Sequence, residues 1–308
     1  MNHETLRKPI LKWVGGKTQI LHHLLPKIPK EMNNYHELFL GGGSVLLAVL
    51  SLQKQGKIFI RNKIYASDVN KNLIHLYLHI QHDKDRLFEF IDFYIREYDS
   101  VHGTEINRNP TNITEAKTSK ESYYYWIRKK YNKRVFLDKE TNVECSALFL
   151  FLNKTCFRGV YREGKNGFNV PYGHYKKTPT IATKKDLEEL SALIQNVEFR
   201  HEPFQQSIKN IQKGDFVYLD PPYAPENDNS FVDYVADGFQ KEHHELLFQE
   251  IKGFQEIYFL MSNAKVPLVL DNFQEFPRED IVARRAINSK KPGSTTTEVI
   301  IYNVPDNS

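Results

Sequence analysis

Cysteine is scarce in this chain, with two residues in 308, Cys145 and Cys156. One pair cannot build a disulfide framework and matches no zinc spacing, so a reducing compartment is the simple expectation. Long hydrophobic runs are absent as well. No apolar run exceeds six residues, "ALFLFL" at 147–152 among them, and such a run is far too short to span a bilayer. The N-terminus carries no basic-then-apolar export signal. Metal-ligand spacing is also missing, so no metal is expected. His22-His23 and His243-His244 fall in helical segments and read as surface residues. A strong overall charge is lacking too. Charged residues make up 26% and the net is only +4, while 40% of the chain is hydrophobic. That excludes wholesale disorder and leaves enough apolar surface for one large domain or two modest ones.

What charge there is lies unevenly. Residues 120–185 hold 15 Lys/Arg against 5 Asp/Glu, and 13 of the 39 aromatic residues. This window carries a net +10, which leaves −6 for the remainder. A basic segment interleaved with aromatics has the composition of a nucleic-acid contact surface. A merely solvated basic helix would not need the aromatics.

The chain begins with an α/β alternation. "NYHELFLGGGSVLLAVLSLQ" predicts a short strand, a glycine turn and an apolar helix from about Ser44. "KIYASD" (63–68) predicts a strand ending in a carboxylate, and "VNKNLIHLYLHI" a helix. This is the start of a Rossmann-like half. Residues 84–200 break the pattern. They contain a polar stretch at 102–120, a helix near 121–133 and an apolar stretch at 145–152. "CFRGVYREGKNGFNVPYG" follows and predicts a β-hairpin with Gly164 or Gly167 at its turn. A helix at about 184–195 opens with Thr183 and Asp186 in a capping box. Alternation resumes after 197 with strands in "VEFRHEPF", "DFVYLDPPY", "EIYFLMSNAK" and "TTEVIIYNV", and a helix in "KEHHELLFQEIKGF". The expected architecture is a catalytic body, 1–83 plus 201–308, carrying a recognition insert, 84–200.

Three motifs carry chemistry. "GGKT" at 15–18 has the back half of a P-loop, but Leu11 stands where its first glycine belongs. "FLGGGS" lacks the third glycine of a dinucleotide fingerprint, since Leu46 holds that place. A glycine turn at a strand end still lets a ligand lie against bare backbone. Asp68 ends the next strand, where a carboxylate can accept from both hydroxyls of a ribose or cap the following helix. Asp220-Pro221-Pro222-Tyr223 is the sharpest signal, expected by chance in roughly one chain in a thousand of this length. Two prolines fix an extended corner. The Asp220 carboxylate and the Pro221 carbonyl then form a pair of acceptors beside an aromatic face. Such a pair suits a primary amine on a flat ring.

"KWVGGK", "FLGGGS" and "DPPY", in that order and with an insert between the last two, resemble the amino-group DNA methyltransferases that make N6-methyladenine. The likeness is to the α-type Dam and GATC-methylase family, and it runs from about Lys8 to Val304. "FNVPYG" and "RAINS" also look like family sequence. The resemblance implies a Rossmann-like S-adenosylmethionine-dependent methyltransferase sheet with an inserted, mainly helical target-recognition domain bearing a β-hairpin. It implies that Trp13, Gly15, Gly16 and Lys17 contact the cofactor. Phe39, Gly41, Gly43, Ser44 and Phe204 would line its adenosine, and Asp68 would hold the ribose. Leu38 replaces the usual proline of this motif. Asp220, Pro221, Pro222 and Tyr223 would bind a flipped-out adenine of duplex DNA, with Asp220 also at the cofactor. A flap at 224–239 would close over the base. Phe157, Arg158, Arg162, Asn169 and Pro171 would contact DNA, Arg162 reading guanine and Phe157 wedging into the duplex. Arg158 stands where the family usually has Asn, and the turn is about one residue shorter than in the Dam branch. GATC or a close relative is the expected site. The resemblance further implies a cytoplasmic monomer, in a bacterial or phage-infected cell, with a cognate restriction endonuclease as a functional partner. Two other readings keep parts of the chemistry: amino-methylation of RNA or protein glutamine, and an inactive DNA-binding regulator.

Overall fold

A computed structural model describes residues 6–175, 177–224, 238–284 and 295–304. It divides into two compact units. The first takes Met1–Lys8, Gly15–Asn70 and Asn196–Ser308, and the second takes Pro9–Val14 and Lys71–Gln195.

In chain order the strands are β1 (Glu31–Met32), β2 (Tyr35–Glu37), β3 (Phe59–Ile60), β4 (Ile64–Asp68), β5 (Glu163–Gly164), β6 (Gly167–Phe168), β7 (Val197–His201), β8 (Phe216–Leu219), β9 (Tyr258–Ala264), β10 (Arg278–Arg284) and β11 (Thr295–Tyr302). The helices are α1 (Leu21–Leu24), α2 (Ser44–Lys54), α3 (Lys71–His82), α4 (Lys84–Asp99), α5 (Ile113–Ala116), α6 (Lys120–Asn132), α7 (Val143–Thr155), α8 (Lys184–Ile194), α9 (Phe204–Ser207), α10 (Lys241–Lys252) and α11 (Pro267–Asn272).

The first unit is built on a seven-stranded sheet in the order β10-β11-β9-β8-β2-β4-β7. Pairings from β9 through β7 are parallel, and β11 joins antiparallel to both β9 and β10. Central parallel strands are covered on both faces, which explains why all four residues of β8, "FVYL", are buried. Every residue of α2 from Ser44 to Leu52 is buried as well, as expected of a helix apolar all round. The strands progress outward from β2 to β4 and β7 on one side, and from β8 to β9 on the other. Neighbours β2 and β8 therefore mark a topological switch point, where ligands settle beyond the carboxyl ends of the strands. The glycine turn follows β2 and the Asp-Pro-Pro-Tyr corner follows β8. The two strongest sequence signals thus meet at one edge.

The second unit is mainly helical. The apolar stretch at 145–152 lies within α7, which is buried along nearly its whole length. Helix α4, which the sequence reading left unassigned, runs beside it and buries Leu87, Ile91, Tyr94 and Tyr98 at helical spacing. Helix α6 is capped by Ser119, whose hydroxyl accepts the Ser122 N–H. Helix α8 has the expected capping box, with Thr183 and Asp186 exchanging hydrogen bonds. Strands β5 and β6 form a short antiparallel ribbon, with Glu163 opposite Phe168. Residues 165–166 make its tip, and Gly167 adopts a left-handed φ of 92°. No helix among the described residues is long and apolar enough to cross a membrane. The flap expectation falls mostly on residues 225–237 and "RAINS" on 285–289, outside the described residues.

Candidate active site

Lys17 is the centre of the first unit's site. Its ammonium lies 2.6 Å from Asp220 Oδ2 and donates to the Gly15 carbonyl at 2.6 Å. It also sits 5.0 Å from the centroid of the Tyr223 ring. Lys17 is only 5% exposed. A P-loop lysine serves phosphate oxygens amid backbone N–H groups, whereas this one neutralises a carboxylate. Burial raises the Asp220 pKa to about 6; Lys17 pulls against that rise and Glu298 adds to it. Asp220 therefore remains mostly ionised at neutral pH. Its second oxygen, Oδ1, is buried with no hydrogen-bond partner among the described residues. An unpaired buried acceptor costs about 1–3 kcal/mol, which a bound donor would relieve.

Around the corner, Pro221 is buried while Pro222 and Tyr223 are half-buried. The Tyr223 hydroxyl donates to Glu298 Oε2 at 2.7 Å. The next residue, Ala224, donates its N–H to Asn263 Oδ1 at 3.1 Å.

The glycine turn lies at the neighbouring strand end. Gly41 and Gly43 have φ of 50° and 72°, a left-handed conformation that side chains disfavour. Asp68 stabilises this turn: its Oδ2 accepts the Gly41 N–H at 2.9 Å and its Oδ1 the Asn70 N–H at 2.8 Å. Each oxygen keeps a further lone pair. Burial raises the Asp68 pKa, against those backbone bonds and His201. Ser44 is buried and lies 3.3 Å from the Thr18 hydroxyl. Phe39 and Phe204 pack at 5.7 Å between centroids, and Phe239 completes an aromatic triad at 5.9 and 5.8 Å. Beneath the turn, Glu37 is buried and accepts the Tyr35 hydroxyl at 2.6 Å. Burial pushes its pKa up to about 8, and the Asp220 and Asp68 charges add to the rise.

The structure thus gathers Lys17, Asp220 and Tyr223 into one site, and joins Gly41 to Asp68. Gly15 and Gly16 are exposed beside Lys17. One sequence expectation is corrected. His244 is not a surface residue: it is 1% exposed, against Phe239 and Phe248. It shares the buried helix face of Leu247, Phe248 and Ile251. Its partner His243 is half-buried, as is His23, which meets Glu279 at 2.6 Å.

The other expected residues belong to the second unit. Trp13 stacks on Tyr161 at 5.4 Å and 24°, and meets Phe149 edge-on at 6.4 Å. Asn153 holds its neighbour Lys12 at both backbone groups: Oδ1 accepts the N–H at 2.9 Å and Nδ2 donates to the carbonyl at 2.7 Å. Asn132 makes the same clamp on Phe168 in β6, at 2.9 Å each way. Along the ribbon, Arg162 Nε donates to Asn169 Oδ1 at 2.6 Å, and both residues are exposed. Phe157 is 45% exposed, with the Arg158 guanidinium 5.1 Å from its ring centroid. Its N–H donates to the carbonyl of exposed Pro171 at 2.8 Å. Arg158 has φ 56°, in the left-handed region where Asn is tolerated and a longer side chain is strained. The contacting residues that sequence reasoning did not single out are Asn132, Asn153, Asn263 and Glu298, and Phe239 entered it only as the last residue of the expected flap. Their roles depend on partners distant in the chain.

A family model described as D12 class N6 adenine-specific DNA methyltransferase matches residues 13–287. The type II methyltransferase M.MjaIII of Methanocaldococcus jannaschii is 34% identical over 293 residues, covering 92% of this chain and 93% of that protein. M1.LlaDCHI of Lactococcus lactis subsp. cremoris is 30% identical over 303 residues, covering 96% and 95%. The DNA adenine methylase of Escherichia coli K12 is 28% identical over 296 residues, covering 95% and 92%.

Proposed function

The chain belongs to the D12 class of N6 adenine-specific DNA methyltransferases, and from that premise we propose that Asp220, Pro221, Pro222 and Tyr223 bind and activate a flipped-out adenine. The class is S-adenosylmethionine-dependent, and the bound cofactor supplies a sulfonium methyl group. The residues present fit that group. The left-handed Gly41–Gly43 turn leaves backbone open to a ligand, Asp68 retains lone pairs for a ribose, and Phe39, Phe204 and Phe239 offer an apolar wall for an adenine ring. Trp13, Gly15, Gly16, Lys17 and Ser44 complete the proposed cofactor set.

The observation that carries the proposal is Asp220 itself, one oxygen held by Lys17 and the other without a partner among the described residues. Adenine's amino nitrogen is a weak nucleophile because its lone pair is delocalised into the ring. Asp220 Oδ1 and the Pro221 carbonyl accept its two N–H bonds and favour a pyramidal nitrogen whose lone pair is free to attack. Positive charge develops on that nitrogen as the methyl group would leave the sulfonium with the bonding pair remaining on sulfur. An ionised Asp220 stabilises that charge, and the nitrogen then gives up one of its two protons, finally to solvent, to become neutral N6-methyladenine. Tyr223 stacks on the extruded ring, and positioning supplies much of the rest. Asp220→Ala tests this with tritiated cofactor and duplex DNA. Methyl transfer should vanish while DNA binding survives, and persistent methylation would refute the assignment.

Target recognition is proposed for the segment 84–200, with 1–83 and 201–308 as the catalytic body. With its Nε held by Asn169, Arg162 keeps both terminal nitrogens for the O6 and N7 of guanine. Phe157 wedges into the duplex, and Arg158 and Pro171 lie beside it. GATC or a close sequence is the proposed site. Action as a cytoplasmic monomer, alongside a restriction endonuclease of the same specificity, completes the proposal.

A further inference from the structure

The corner after β8 is braced by two residues outside the motif. Strands β8 and β9 are parallel, with Leu219 opposite Met261, so the chain leaving β8 crosses the end of β9. Strand β11 is antiparallel to β9 and sets Glu298 opposite Ala264. Asn263 is fully buried, and its Oδ1 accepts two backbone N–H groups, from Ala224 at 3.1 Å and from Ala264 at 2.8 Å. Two donors on one oxygen settle which way the carboxamide faces. Glu298 Oε2 receives the Tyr223 hydroxyl at 2.7 Å. Burial, with Asp220 and Glu298 nearby, pushes the Tyr223 pKa well above the ordinary phenol value, so that hydroxyl stays a donor. Lys17 covers one face of the same ring. A phenol fixed at its tip and covered on one face presents the other face to a flat base.

We infer that Glu298 and Asn263 are positioning residues for methyl transfer: Glu298 sets the tilt of Tyr223 against the flipped adenine, and Asn263 fixes the backbone behind it at Ala224. The inference rests on the role proposed above for the corner. Neither side chain needs to touch the reacting atoms. A small misplacement of a reacting pair lowers the rate without weakening cofactor binding.

The test uses the full chain and a duplex carrying its mapped site. It measures single-turnover methylation, cofactor affinity, and fluorescence of 2-aminopurine placed at the target adenine. Glu298→Ala should lower the rate about tenfold or more, leave cofactor affinity within about twofold, and raise the fluorescence because the extruded base stacks less well. Glu298→Gln, which keeps an acceptor, should restore most of the rate. Tyr223→Phe should reproduce the loss, and the double variant with Glu298→Ala should be no worse than the poorer single one, since both break the same bond. Asn263→Ser should lower the rate in the same way, again with cofactor affinity kept. Unchanged rate and fluorescence in Glu298→Ala would overturn the inference, as would a double loss equal to the product of the single ones. Should Glu298→Ala not fold, Glu298→Leu, a larger side chain that also lacks an acceptor, takes its place in the same comparison. Asp220→Ala run in parallel separates the two levels. If it still methylates, the corner assignment fails; if it is inactive while Glu298→Ala is normal, only the brace fails.

Discussion

Replacing Lys17 with Met should move the acid limb of the pH–rate profile. Lys17 opposes the burial that raises the Asp220 pKa to about 6, and Glu298 raises it further. With Lys17 present, the carboxylate outnumbers its acid by about ten to one at pH 7. Both partners are largely buried, Lys17 at 6% and Asp220 at 19% side-chain exposure. Removing one partner of a buried pair costs about 3–5 kcal/mol. Asp220 can escape that cost by taking up a proton, at about 1.4 kcal/mol per pKa unit, so its limb should rise by about two units or more. Activity near pH 7 should then fall about 10- to 100-fold and return toward the original level near pH 9. The assay is single-turnover transfer from tritiated cofactor across that range, at saturating cofactor, with KM for the cofactor determined at each pH. Any cofactor contact made by Lys17 would appear in KM. A uniformly lowered profile of unchanged shape would refute the tuning of Asp220 by Lys17.

Other expected outcomes follow from single sites. Glu37 holds its proton up to about pH 8 in the fold but only to about 4.3 when unfolded. Its contribution to stability is therefore complete below about pH 4 and is lost as pH rises through 8, at about 1.4 kcal/mol per unit. Glu37→Gln should gain on the parent by that slope between about pH 5 and 8 in urea titrations, and level off above; parallel curves would contradict it. Arg162→Ala should relax discrimination at a guanine by about 1–3 kcal/mol. If Arg158 contacts phosphate, Arg158→Ala should instead lower the salt slope of DNA binding by about 0.9, at unchanged specificity. Competition binding at several salt concentrations distinguishes the two, and a change of specificity in Arg158→Ala would make it a base reader. Asn153→Ala removes both bonds that hold the Lys12 backbone and should cost about 1–3 kcal/mol by denaturant unfolding; a loss under 0.5 kcal/mol would show that water replaces them.

The position of the corner was legible because an apolar strand followed by two prolines has to end there. Asp220-Pro221-Pro222-Tyr223, the Gly41–Gly43 turn and Asp68 are short, local and rare. Parallel strands could also be read, since "FVYL" and "IYFLM" are continuous apolar runs. Helix α7 was ambiguous in the sequence, because an element apolar on all sides shows no periodicity. Helix α4 did carry a periodic signal, in Leu87, Ile91, Tyr94 and Tyr98, but it lies in a strongly charged stretch. The pairing of Lys17 with Asp220 spans about two thirds of the chain, and the clamps by Asn132, Asn153 and Asn263 need a register that only the assembled fold supplies. His244 read as surface because histidine usually titrates in water, yet its helix face is apolar.

Methylation of unmodified genomic DNA, mapped base by base for the parent chain and for Asp220→Ala, tests the central claim most directly. N6-methyladenine at one short recurring sequence with the parent, and none with the variant, is the expected result. Adenine methylation by both proteins, or by neither, would contradict it.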